Sequence, residues 1–374
     1  MERTKVKNLA KQIRGVSYKP EDLHDSLDED SVILLRANNI DEGKINFDDV
    51  VYVDKSKVSD EQYLKVGDVL ICASSGSKQL VGKAASVDFD TPCTFGAFCK
   101  VVRPNNNVAD YLGKYFQSGV YRRKISEVAI GANINNIRNE HIDSLELPIY
   151  EPVQAQRIVE KIGLLQNIID NRKCELSKLD DLIKARFVEL FGLPVSNTKD
   201  WPTEPMNDVA PVVNYGGEFD DEIWLLNLDM VEAQTGRIID YLMVSEDEIG
   251  NSTCTFDESN VLYSKLRPYL NKVVIPDKCG YATSELVPLQ PVKSKLNREY
   301  LAYMLRSDEF VGMITEKVAG AKMPRVSMGD FRKFDVPLPP LDTQEQFAEF
   351  VKQVDKSKVV AEKNWNIHNI CLVA

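Results

Sequence analysis

The sequence predicts a mixed α+β fold: two globular domains in tandem repeat, separated and followed by long helices that pair as an antiparallel coiled coil. Three observations predict it. Residues 153–187 hold no proline and a single glycine, Gly163, while Ile162, Ile169, Leu176 and Ile183 recur seven apart. The stretch 111–125, YLGKYFQSGVYRRKI, returns at 300–314 as YLAYMLRSDEFVGMI, an offset of 189. The end of each domain keeps that offset, with Gly131 matching Gly320 and Pro148 matching Pro337. Unrelated domains of similar composition would not hold register over so long a span.

The first domain, residues 1–150, has strand candidates at 32–35 and 50–53, bounded by the turn Asp41-Glu42-Gly43. Gly67-Asp68 turns into a buried strand at 69–73, and 98–102 reads as another. Leu112, Tyr115, Phe116 and Ile125 give residues 111–128 helical spacing. Pro148 and Pro152 hold the following lead-in out of a helix.

Residues 151–192 form the central helix. Leu165 and Leu179 lie three beyond the heptad row, and Arg172 and Arg186 interrupt their own row. Gly192-Leu193-Pro194 stops the helix. About 35 residues at ~1.5 Å each make a rod of roughly 50 Å, too long for a small globular core. The second domain, 193–341, repeats the first, with Val261-Leu262-Tyr263 loosely matching Val69-Leu70-Ile71. In the distal helix, 342–374, Phe347, Phe350, Val351 and Val354 keep the apolar spacing, which then fades. That helix is expected to be shortened or divergent. The pairing seam comprises Ile162, Leu165, Ile169, Leu176, Leu179, Ile183, Phe347, Phe350 and Val354.

Composition excludes little. Hydrophobic and charged contents of 43% and 28% are ordinary for a globular chain. No apolar run is long enough for a membrane span, and the N-terminal residues lack the apolar core of a secretory signal. Seven cysteines without a CxxC pair suggest reduced thiols and a cytoplasmic location. The net charge of −11 is concentrated: residues 204–258 carry fourteen acidic groups against Arg237 alone, so the rest of the chain nets +2. Residues 122–138 and 317–333 are locally basic, at +3 and +4. A nucleic-acid surface needs only local basic stripes, so the net charge does not exclude one.

No catalytic set is present. The one PP pair, Pro339-Pro340, lies in LPPL and lacks the aromatic of an adenine-methyltransferase loop. Gly76 and Gly82-Lys83-Ala84 are spaced by five residues, with alanine where a phosphate-binding loop needs a hydroxyl. Asp277 and Glu285 are not followed by the lysine of a nuclease centre, and His24, His141 and His368 lie far apart without ligand-spaced cysteines.

Sequence-specific DNA binding asks for cations at phosphates and for Arg, Lys, Asn, Gln or Ser at base edges. Ser74, Ser75, Ser77, Lys78 and Gln79 follow a strand as such a loop would, with Lys83 beyond them. Lys265, Arg267, Tyr269, Asn271 and Lys272 group cations, an aromatic and an amide within eight residues. The repeated glycine loops contribute Asn133, Asn135 and Arg138 in one copy and Lys322 and Arg325 in the other. For each group a structural turn or solvated face is the competing reading.

Three features together resemble a known family. They are the order domain, helix, domain, helix; the run Val261-Leu262-Tyr263-Ser264-Lys265-Leu266-Arg267-Pro268-Tyr269-Leu270-Asn271-Lys272-Val273; and the domain end 320–344, GAKMPRVSMGDFRKFDVPLPPLDTQ. The chain resembles the specificity subunit of type I restriction–modification enzymes. The resemblance implies two target-recognition domains that read a bipartite double-stranded DNA target. It implies partner subunits: two methyltransferase subunits and restriction/translocase subunits. S-adenosylmethionine, ATP and Mg are then expected on those partners, with no cofactor on this chain and no membrane. A stand-alone DNA-modifying enzyme and a repeat-built interaction scaffold are the alternatives. The last residues, NWNIHNICLVA, depart from the family's helix end.

Overall fold

The computed structural model describes residues 2–77, 80–105, 108–131, 136–219, 222–318 and 323–373, with backbone alone for 128–131 and 362–373. Helices and strands alternate irregularly, and two compact units emerge, one of 1–171 with 365–374 and the other of 172–364.

In the first unit, strand 93–95 pairs in parallel with 31–35, which continues to 51–54 and 23–24. A second sheet orders 10–14, 99–104, 69–72 and 84–86. The Asp41-Glu42-Gly43 turn is a tight hairpin, with Glu42 and Gly43 at φ 44 and 80 joining 40–41 to 44–45. The second unit repeats this plan. Strand 280–283 pairs in parallel with 223–226, and a three-stranded sheet orders 273–274, 261–264 and 286–289. In each unit a two-stranded ribbon closes the domain, 3–5 with 146–148 and 203–205 with 335–337.

The expected single helix over 111–128 is two helices, Ala109–Gln117 and Gly119–Gly131, broken at Ser118. Ser118 is extended, its hydroxyl donating to the Tyr115 carbonyl at 2.6 Å and accepting from the Tyr121 amide at 3.3 Å. Ser307 breaks the second copy identically, bonding Met304 at 2.7 Å and Phe310 at 3.3 Å. Apolar spacing runs across both breaks, so periodicity alone reads one helix where a serine makes two.

The first long helix is Pro152–Phe191, 40 residues, four longer at its end than its spacing marks. Gly192, at φ 75, terminates it, and a Cβ there would lie 2.4 Å from Thr198 Oγ1. The distal helix is not cut short where its apolar spacing fades: it runs Leu341–Val373, 33 residues, although Val359 and Val360 are exposed. Within the second unit the two helices run in opposite directions. Phe187 meets Phe347 at 5.5 Å, while the earlier Asp180 pairs with the later Lys358 at 2.6 Å. Ile183, Phe187, Phe191, Phe347, Val351 and Val354 are buried there in one core with Tyr300 and Leu301. Arg186 interrupts the apolar row without breaking it, because its guanidinium lies 5.9 Å from the Phe350 ring centroid. In the first unit Ile169 is buried and Ile162 and Leu165 are half-buried; Leu176 and Leu179, in the second, are half-buried too.

Candidate nucleic-acid interface

Both copies bring the same two segments side by side. In the second, strand 261–264 is buried along its length and delivers Lys265 to the rim. The Lys265 carbonyl accepts from the Val326 amide at 2.8 Å, and Leu266 bridges Arg325. In the first, the Ala73 carbonyl accepts from Ile137 at 2.7 Å, and Ser74 bridges Asn136. The loop after the central strand therefore lies beside the segment leaving the glycine loop in each domain.

This arrangement sets Lys265 and Arg267 beside the segment 324–326, and Ser74 beside Asn136, two residues before Arg138. Arg267 and Tyr269 are exposed, and Lys265 is half-buried. The Arg325 guanidinium is 2.8 Å from Glu285 but keeps 56% of its side chain exposed. Arg138 is exposed beside Glu140 at 3.7 Å. Ser77 is exposed, its amide bonded to Ser75 Oγ at 3.2 Å. Lys78, Gln79, Asn133, Asn135 and Lys322 lie outside the described residues.

Two expected readers point inward, which corrects the sequence reading of them. Asn271 is only 6% exposed, and its amide nitrogen donates to the Arg306 carbonyl at 3.0 Å. The Lys272 ammonium donates to the Leu228 carbonyl at 2.6 Å, and burial holds its pKa below the usual lysine value. Lys83 stays at the surface, paired with the exposed Asp41 at 3.4 Å. The two lysines occupy equivalent register: Cys72 donates its amide to the Lys83 carbonyl at 2.9 Å and Ser264 to that of Lys272 at 3.0 Å. Their separation equals the repeat offset, a signal available in the sequence and not used there.

The turn 267–273 is held from below. Arg267 and Asn271 sit in the left-handed region at φ 50 and 48, a costly geometry for residues with side chains. Gln234 donates its amide to the Leu270 carbonyl at 3.0 Å and its side chain to that of Tyr269 at 2.9 Å. A Cβ on Gly236 would stand 1.8 Å from the Val273 carbonyl oxygen, so only glycine fits. Sequence reasoning passed over Gln234, Gly236 and Arg306, which support the turn. Among the described residues no acid, cysteine or histidine cluster could hold a metal ion, and no helix is long and apolar enough to cross a membrane.

Residues 229–368, which span this turn, its supports and most of the distal helix, match the family model of the type I restriction modification DNA specificity domain. Residues 229–368 are thus similar to a type I specificity domain. The chain is 35% identical over 214 residues to the EcoKI specificity subunit of Escherichia coli K12, covering 56% of this chain and 46% of that one. It is 36% identical over 194 residues to the StySPI specificity subunit of Salmonella potsdam, covering 52% and 42%. The matches thus span less than half of those relatives' length. The fold is similar to a chain of a solved type I R-M assembly, described as showing complex assembly and conformational transition. There the TM-score is 0.51 at 13% identity, over 100% of this chain and 95% of that one.

Proposed function

We propose that this chain is the DNA-sequence-specificity subunit of a type I restriction–modification complex, supplying address and no reaction. The observation that carries the reading is the paired rim, built twice, with exposed Arg267 and Arg325 on adjoining segments in the second copy and exposed Tyr269 on the same turn as Arg267. Each domain reads one half of a split target in the major groove, and the long helices, paired as an antiparallel coiled coil, set the unread gap. The reading assigns the chain to the cytoplasm with two methyltransferase subunits and restriction/translocase subunits. Those partners bring S-adenosylmethionine, ATP and Mg.

Replacing Lys265 and Arg325 with alanine should weaken duplex binding and lower the salt slope by about one per lost phosphate contact. A gel-shift titration across salt, with the methyltransferase partner present, measures it. An unchanged slope would remove these residues from the DNA. Deleting one or two helical turns around Gln166 should alter the gap and spare both half-site sequences, read by methylation-sensitive sequencing of a host carrying the chain. Altered half-sites with an unaltered gap would end the ruler idea.

A further inference from the structure

Arg306 closes the helix Arg298–Arg306 and lies beneath the turn 267–273. Its guanidinium Nε and Nη2 donate to the Val273 carbonyl at 3.1 and 2.5 Å, and its own carbonyl accepts from Asn271 at 3.0 Å. One residue thus grips the turn at two points, by side chain and by main chain. The guanidinium also lies 5.2 Å from the centre of the Tyr303 ring, which meets Phe347 of the distal helix at 5.4 Å. The first copy places Gln117 at the equivalent position, 189 residues earlier. Gln117 donates to the Gly43 carbonyl at 2.9 Å and to Ser86 Oγ at 3.3 Å, bracing a different hairpin.

We infer that Arg306 is a positioning residue for sequence readout by the second domain, fixing the left-handed turn that presents Arg267 and Tyr269. Arg306 touches no DNA in this scheme. A fork that donates twice to one carbonyl fixes both distance and angle, which a lysine's single ammonium does not. Side chains that read base edges need that fixity, because a shift of about 1 Å breaks a bidentate pair. Phosphate contacts are more forgiving, so the loss should fall on discrimination more than on affinity.

The inference rests on the DNA-reading function above, and the test separates the two. The full chain with its methyltransferase partner is used to select from a library of randomised duplexes, and each enriched motif is sequenced. Arg306→Gln, which installs the first copy's residue, should reduce base discrimination in one half-site on the order of 10-fold or more. The other half-site and the salt slope should stay as in the unaltered chain. Asn271→Gly tolerates φ 48, removes the amide bonded to the Arg306 carbonyl and frees the backbone of the turn; it should loosen the same half and serves if Arg306→Gln melts before the unaltered protein. Two intact halves in folded Arg306→Gln, or equal loosening of both, would overturn the positioning role. No motif from the unaltered chain would instead sink the DNA reading itself.

Discussion

The two copies share a hydrogen bond and differ in what covers it. Tyr111 donates its hydroxyl to the Pro148 carbonyl at 3.1 Å, and Tyr300 donates to the Pro337 carbonyl at 2.9 Å. Tyr111 is half-buried, with Tyr150 edge-on at 5.6 Å. Tyr300 is 1% exposed, under Phe187 and Phe191 at 5.6 and 4.7 Å. Burial pushes both hydroxyls up, Tyr111 to about 12. The first long helix leaves one domain at a proline and enters the next with two phenylalanines. The same local design is therefore wet in one copy and dry in the other.

Removing the aromatic lid should produce the largest effect. Phe347 is fully buried against Phe187, Phe191 and Tyr303. Phe347→Ala should cost about 3–5 kcal/mol by cavity formation. Urea unfolding gives the total, and hydrogen exchange should localise the loss to residues 172–364. A cost below about 1 kcal/mol would mean the aromatic shell is not what distinguishes the second copy.

The shared bond itself allows a finer test. Tyr300→Phe strands the Pro337 carbonyl in a dry core and should cost about 1–3 kcal/mol. Tyr111→Phe leaves the Pro148 carbonyl within reach of water and should cost about 1 kcal/mol or less. Thermal melts of both variants measure the gap; equal losses would erase the proposed difference in solvation.

The repeat was legible in sequence because duplication preserves spacing, and spacing sets register. Tyr111 and Tyr300, Ser118 and Ser307, Lys83 and Lys272 all land on equivalent backbone positions at one offset. Side-chain direction was not legible. Lys265 and Lys272 look alike in the sequence, but one sits on the rim and the other bonds the Leu228 carbonyl. Residue type marks what a group can do, and only the chain's return through 228–236 decides which way it faces. The support residues were hidden for the same reason. Arg306 lies more than thirty residues from the turn it holds and carries no local turn signal.

The smallest expected difference concerns two ion pairs made by the first long helix, one in each unit. Lys44 reaches Asp170 at 2.6 Å with 68% of its side chain exposed, and Lys358 reaches Asp180 at 2.6 Å with 19% exposed. Both ammonium pKa values are raised. For Lys44 the hydrogen bond to Asp170 leads; for Lys358 burial alone would lower the value, but Asp180, Tyr303 and Asp355 outweigh it. A raised folded pKa stabilises fully below the unfolded value of 10.5 and is lost as pH climbs through the folded one. Buried tyrosines also lose stability in alkali, so the Lys358 share is the difference between the unaltered chain and Asp180→Asn. That difference should be about 1 kcal/mol, flat from neutral pH to about 9, and shrinking above 10.5. For Asp170→Asn it should be only a few tenths of a kcal/mol after solvent screening. Raising salt to about 0.5 M should erase the exposed pair's share and leave most of the covered pair's. Equal sensitivity of the two differences to salt would show that the distal helix does not shield its own bridge.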